Sequence, residues 1–152
     1  DLFEIAEGRL PGNVEAAKRA FAEFGEIAGD AMATAVTLTD GLVVIGGGIT
    51  AAHKYIMPSL LKEMRVKIHT LQGDELNRVQ MKVYDLDDEE EFKAFAKGEQ
   101  RALKVYGTEH FVTYDPQKRV GVMISKLGAN QAISVGAYAF ALRQLDVQEN
   151  SK

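Results

Sequence analysis

Apolar residues recur at helical spacing early in the chain and at strand spacing through much of the rest. Val14, Ala17, Phe21, Phe24, Ala28, Ala31, Ala35 and Leu38 fall three or four apart, which predicts one stripe of a long amphipathic helix. Asn13, just after Pro11-Gly12, is a good N-cap for that helix, and residues 1–12 read as a lead-in. The stripe is bulky in its first half and small in its second. Gly25 and Gly29 sit beside it at helical spacing, where small residues let another backbone come close. The second half is therefore expected to pack tightly on a sheet or helix. An alanine-rich, glycine-containing seam suits a coiled coil poorly. Asp40-Gly41 ends the helix, with Gly41 suited to a left-handed position.

Leu42-Val43-Val44-Ile45 is a continuous apolar run, which suits a strand buried on both faces. Glycines follow, then Thr50, placed to cap a helix over about 51–65 that Pro58 should divide near Met57. Residues 79–84 alternate as a strand with one wet face. Residues 87–97 form a short helix with an acidic N-terminal end, stopped by Gly98. Strands follow at 102–106, 110–114 and 119–125, the last two joined by a turn at Asp115-Pro116-Gln117-Lys118. A final helix covers about 130–145, and the polar tail after Asp146 is expected to fray. The order is an α/β pattern with β-hairpin material inserted over about residues 66–118.

Composition narrows the class. With 152 residues, 46% hydrophobic and 26% charged, the chain is long enough for one domain with a core. A net charge of −4 argues against a nucleic-acid binder. The absence of cysteine removes disulfides and thiolate zinc sites. No apolar run approaches the roughly 20 residues of a membrane span, and no secretory leader is visible, so a cytoplasmic setting is expected. The chain opens at Asp1 and reads at once like mid-protein sequence, so a fragment of a larger protein is expected.

The stretch Gly46-Gly47-Gly48-Ile49-Thr50 is the candidate site. A strand feeding a helix through glycines presents backbone N–H groups at the strand's carboxyl end, where phosphates and ribose hydroxyls bind well. A tight turn with no ligand is the plain alternative. A P-loop is excluded, because Gly48 is followed by Ile49-Thr50 and not by Lys-Ser/Thr. Gly46, Gly48 and Ala51 nominally meet the dinucleotide fingerprint, but the acid wanted about 20 positions on is missing from Val66 to Thr70. The histidines, at 53, 69 and 110, have no metal-ligand spacing. Asp30, among small residues, either makes a structural hydrogen bond or reaches a ligand. Glu89, Glu90 and Glu91 fall on a solvated helix face. Tyr106, Phe111 and Tyr114 pack a hairpin or form a self-association surface.

Two segments, GEIAGDAMATAVTLTDGLVVIGGGIT (residues 25–50) and ISKLGANQAISVGAYAFA (residues 124–141), resemble the C-terminal lobe of the ROK family (repressors, open reading frames and kinases). That family includes glucokinase-like sugar kinases of the actin/hexokinase-like superfamily. The resemblance covers about residues 23–65 and 120–145. It implies that residues 1–152 are the single C-terminal nucleotide-binding lobe of a larger protein, with a ribonuclease H-like fold and a β-rich insertion at about 66–118. It implies that Gly46, Gly47, Gly48 and Ile49 line the adenosine site of ATP or ADP through their backbone, with Gly128 and Ala129 closing the other side. It implies Mg²⁺ and a hexose as partners of the full-length protein, and self-association through this lobe. The family's Asp-x-Gly, Asn-Asp and Glu-x-Gly-His motifs and its cysteine-rich zinc motif have no counterpart here. No catalytic or metal-binding residue is therefore assigned to this chain, and the isolated fragment is expected to be inactive. The resemblance equally accommodates the effector or dimerisation lobe of a ROK-type sugar-responsive repressor, whose DNA-binding helices would lie upstream. Neither parent implies a membrane or nucleic-acid contact by this chain.

Overall fold

The structure, a computed structural model, describes residues 1–149. The stretch read as a lead-in contains a short helix, α1 (Leu2–Ala6), whose Ala6 is buried. Helix α2 (Val14–Thr39) begins at its expected cap: Asn13 Oδ1 accepts the Ala16 N–H at 3.0 Å. Three threonines near its end are accommodated because their hydroxyls donate to the carbonyls four residues back, as Thr37 does to Ala33 at 2.8 Å.

The buried face of α2 differs from the expected stripe. Ala17 and Phe21 are buried, but the face then runs through Gly25, Gly29, Ala33 and Val36. Leu38 is 82% exposed, and Ala31 and Ala35 are also exposed. The reason is the neighbour. Helix α3 (His53–Met64) lies so close that a Cβ at Gly25 would meet the Ile56 carbonyl, and one at Gly29 would stand 2.6 Å from the Leu60 carbonyl. Backbone meets backbone along the glycine face, and α3 buries Ile56, Met57, Leu60, Leu61 and Met64 beneath it. The helix ends on Asp40, not Gly41: Asp40 takes the left-handed conformation (φ 47°), which aspartate tolerates better than most residues.

Strand β1 (Val43–Ile45) leads through the glycines into a 3₁₀ turn at Gly48–Ala52 and then α3. Thr50 does not cap by accepting; its hydroxyl donates to the Gly47 carbonyl at 2.8 Å. Pro58 does not divide the helix near Met57. The change of winding comes earlier, at Ala52–His53, and Pro58 lies inside the α segment. The carbonyl left without a proline N–H is that of Lys54, in the opening turn beside this junction.

Residues 66–118 do more than add hairpins. They hold the antiparallel pair β2 (Lys67–His69) and β3 (Glu75–Asn77), then β4 (Lys82–Asp85), α4 (Glu89–Lys97), and the antiparallel pair β5 (Arg101–Lys104) and β6 (Phe111–Tyr114). Strand β7 (Arg119–Ile124) then enters the centre of a three-stranded sheet of order β1-β7-β4, parallel throughout, with Val43 opposite Val122 and Val83 opposite Val120. The turn at residues 115–118 therefore joins β6 to a strand with which it does not pair. The wet face expected for residues 79–84 is covered at Tyr84, which is 4% exposed: Phe95 of α4 meets its ring edge-on at 5.7 Å, and its hydroxyl donates to Gln117 at 2.9 Å. Conversely β1 is not buried on both faces. It is an edge strand, and Val44 is 56% exposed. Gly98 (φ 59°) ends α4 as expected, while Asp88, expected inside the helix, is its N-cap and accepts the Glu91 N–H at 2.8 Å.

Helix α5 (Ala129–Glu149) closes the described chain and runs past the expected end near residue 145. Its residues 130–147 are all exposed. Residues 150–152 of the tail expected to fray lie outside the described residues. Among the described residues, no helix is long and apolar enough to cross a membrane.

The glycine face yields a direct test. Gly29→Ala forces α2 from α3 and should lower the unfolding free energy by about 1–3 kcal/mol, net of the helix propensity gained. Gly41→Ala, with open space around it, should stay within about 0.5 kcal/mol. Urea titration of the two variants checks this, and equal midpoints would show that the helices can separate freely.

Candidate functional site

Gly46, Gly47, Gly48 and Ile49 follow the carboxyl end of β1, and residues 125–129 follow the carboxyl end of β7. Because the two strands are parallel neighbours with Ile45 opposite Ile124, both turns emerge side by side. Ser125 donates its N–H to the Ile45 carbonyl at 2.7 Å, and its Cβ lies 3.7 Å from where a Cβ on Gly46 would stand. Gly128 and Ala129 open α5 three to four positions on, with the Gly128 carbonyl accepting the Ala132 N–H at 2.9 Å. The two predicted segments thus share one edge of one sheet.

The turn's shape depends on glycine at one place above all. Gly47 has φ 91° and ψ −174°, a region essentially closed to other residues. Around Gly47 and Gly48 there is open space where side chains would stand. The backbone here is therefore accessible to a ligand.

Beside the turn lies a small apolar cavity of about 80 Å³. Phe24, Ala28 and Met32 of α2, Ile45, Ile124 and Ile49 line much of it. Phe24 and Ala28 belong to the stripe expected in the core; they face this cavity instead. Nothing local in the sequence marked Met32 and Ile124 as cavity residues, because the cavity exists only where α2, β1, the 3₁₀ turn, α3 and β7 meet.

The other candidates resolve into structural roles. Asp30 accepts from Arg78, which also donates to Glu63 at 2.6 Å, so one guanidinium ties α2 to α3. Glu91 accepts from Arg65 at 2.5 Å and from the Asp85 N–H at 2.7 Å, docking α4 across a groove floored by Met64, Met81 and Val83. Glu89 and Glu90 pair with Lys93 and hold its pKa above the usual value. His53 Nδ1 lies 2.9 Å from the Thr50 carbonyl, while His69 and His110 are on separate hairpins. Glu7 is held below the usual carboxylate range by Lys54 and then Tyr55. These shifts mark ion pairs, and none marks a group poised for proton transfer at the turn. Among the described residues, no three His, Cys, Asp or Glu side chains come together to hold a metal ion.

A three-stranded parallel sheet with packed helices and an open glycine turn at its carboxyl edge defines the class: an α/β unit whose glycine turn leaves the backbone uncovered. The strand after α3 pairs in a hairpin and not beside β1, which removes the dinucleotide-fold reading of the glycines. Over 93% of its length the chain is similar to the glucokinase from Parabacteroides distasonis, with 56% identity and a TM-score of 0.80. The chain is a relative of that glucokinase, as the two segments implied, and spans 38% of its length. The unmatched 7% is far smaller than residues 66–118, so most of that section has a counterpart there. No protein-family model and no curated protein sequence matches the chain.

The base of the β5–β6 hairpin gives a pH test. Asp115 is held below the usual carboxylate range by its hydrogen bond from Arg119, helped by the N–H groups of Gln117 and Glu99. Since the folded pKa is depressed, this contribution to stability is present above the ordinary carboxylate pKa of about 4 and disappears as pH falls through the depressed value. Asp115→Asn should flatten the acid-side slope of thermal stability and lower the melting temperature at neutral pH. Superimposable pH profiles for variant and parent would refute the assignment.

Proposed function

We propose that this chain is the C-terminal, nucleotide-binding lobe of an ATP-dependent hexose kinase of ROK type, with an actin/hexokinase-like (ribonuclease H-like) fold. The observation that carries the reading is the juxtaposition of the Gly46–Ile49 and Gly128–Ala129 turns at the carboxyl ends of two parallel neighbours, in a chain 56% identical to a glucokinase. In this reading Gly46, Gly47, Gly48 and Ile49 line the adenosine part of ATP or ADP through their backbone. Gly128 and Ala129 close the opposite side. Glycine suits this position because a flat ligand can lie against the main chain with no Cβ between them.

Phosphoryl transfer also needs a base for the sugar hydroxyl and carboxylates for the metal. Mg²⁺ neutralises and orients the phosphates in such kinases, and this chain offers no carboxylate cluster for it among the described residues. Its own task is to bind and orient the nucleotide. The hexose site, the metal ligands and the base belong to other parts of the whole protein, and a cytoplasmic setting accompanies the reading.

An amide NMR titration with Mg-ADP, run in parallel with NAD, tests it. Shifts centred on Gly46–Ile49 and Gly128, saturating at about millimolar ADP, are expected, and Gly48→Val should abolish them. The purified chain should not phosphorylate glucose above a contaminant control. Shifts with NAD alone, or no response to about 10 mM ADP, would overturn the nucleotide reading; turnover by the chain would overturn the division of labour.

A further inference from the structure

Helix α4 runs beside the outer edge of β4 and buries none of its own residues. Within it only Glu91 and Phe95, one turn apart, are half-buried; the rest are exposed. Phe95 meets the Tyr84 ring edge-on, with the Arg119 guanidinium 5.4 Å from its own ring. Both ends of the helix are tied down. Before it, Asp87 Oδ2 accepts the Ile124 N–H at 2.8 Å; after it, Asp115 Oδ1 accepts the Glu99 N–H at 3.3 Å. Between α4, α3 and β4 lies the groove of about 530 Å³ lined by Met64, Val79, Met81, Val83 and Ala94, so α4 spans this space and does not fill it.

The register fixes which β4 groups point outward. Lys82 and Leu86 donate their N–H groups to the carbonyls of Lys118 and Val122, so in this parallel ladder Tyr84 also faces β7 with its backbone, and Val83 and Asp85 face away. The Arg65–Glu91 pair meets the outward groups. Arg65 Nε donates to the Val83 carbonyl at 3.2 Å, and Glu91 accepts the Asp85 N–H at 2.7 Å. One ion pair thus occupies an acceptor and a donor that a further strand would use.

We propose that α4 is a strap over the β4 edge, fastened by Glu91 and Phe95, that opens as one unit while the rest of the fold stays closed. Few buried contacts hold it, which is the property of segments that open below the global unfolding limit. The fastening pair is weak as well, since the Arg65 and Glu91 side chains are 39% and 36% exposed and solvent screens them. The sheet beneath has other support: Val120 and Val122 of β7, 2% and 0% exposed, belong to the main core with α2 and α3. Release of the strap bares the outward groups of Val83 and Asp85 together with the apolar groove, and closure covers them again. Its opening does not depend on nucleotide binding at the opposite edge of the sheet.

Native-state amide exchange reads the strap directly, because adjacent amides of β4 face opposite ways. With rates divided by their intrinsic values, the Asp85 amide should exchange together with those of residues 92–98, about a hundredfold faster than Tyr84 and Val122. Glu91→Ala should speed the Asp85 and α4 amides by a further tenfold or about that, and leave Tyr84 and Val122 unchanged. The α4 amides decide the matter, since loss of an acceptor alone would free only Asp85. Glu90→Ala, which removes a pairing with Lys93 on the helix itself, should leave Asp85 within about twofold of the parent. Asp85 exchanging at the rate of Tyr84, Asp85 parting from the α4 amides in the parent or in Glu91→Ala, or Glu91→Ala speeding Val122 as much as Asp85 would each overturn the proposal.

Discussion

The close approach of α2 to α3 is the constraint on which the rest of the molecule depends. Two glycines four residues apart remove the side chains that would otherwise hold the helices at ordinary distance, and carbonyls of Ile56 and Leu60 occupy the space. Glycine in a helix interior costs about 1 kcal/mol relative to alanine. The burial of Leu60 and Met64, 0% and 1% exposed, offsets it. Arg78, paired with Asp30 and Glu63, ties the same two helices from the side. Since α3 follows the glycine turn after only the 3₁₀ segment, anchoring α3 also anchors the turn at the end of β1. The accessible backbone of Gly46–Ile49 is thus held by packing that lies outside it.

Local signals in the sequence translated well. Asn13 and Gly98 act within one turn of their own position, so their capping roles followed from residue type and spacing. Readings that depended on a partner did not. The choice between the Phe24–Leu38 stripe and the Gly25–Val36 face belongs to α3, whose backbone takes the position that bulk would have filled. Apolarity marked Leu42 to Ile45 as a strand, yet it carries no information about whether both faces are covered. Tyr84 read as wet because α4, which covers it through Phe95, has an acidic and unremarkable sequence. Pro58 lies inside the α segment, and the change of winding comes before it, at Ala52–His53, where the sequence carried no mark of it.

The candidate site was legible in the same uneven way. Its glycines stood out because close approach needs no Cβ, and Gly47 adopts a conformation that demands one. Their pairing with residues 125–129 had no local signature. It arises from the parallel register of β1 on β7, strands separated by about half of the chain. The apolar cavity was hidden for the same reason, since Met32 and Ile124 become neighbours only after folding. Asp30 was ambiguous in the sequence because its cation, Arg78, is distant along the chain.

The order of the central sheet has a kinetic side. Its middle strand, β7, is the last to be synthesised, and the two strands it joins come from much earlier. Neither β1 nor β4 has a sheet neighbour until β7 arrives. Closing such long loops adds little to the equilibrium cost, since each doubling of length adds only about 0.6 kcal/mol. It weighs on the rate, because non-local pairings reward the chain only after the intervening segments have been gathered. The α2–α3 pair, by contrast, is joined through a short connection and forms its contacts early. The edge that carries the glycine turn therefore takes its final form only once β7 joins the sheet.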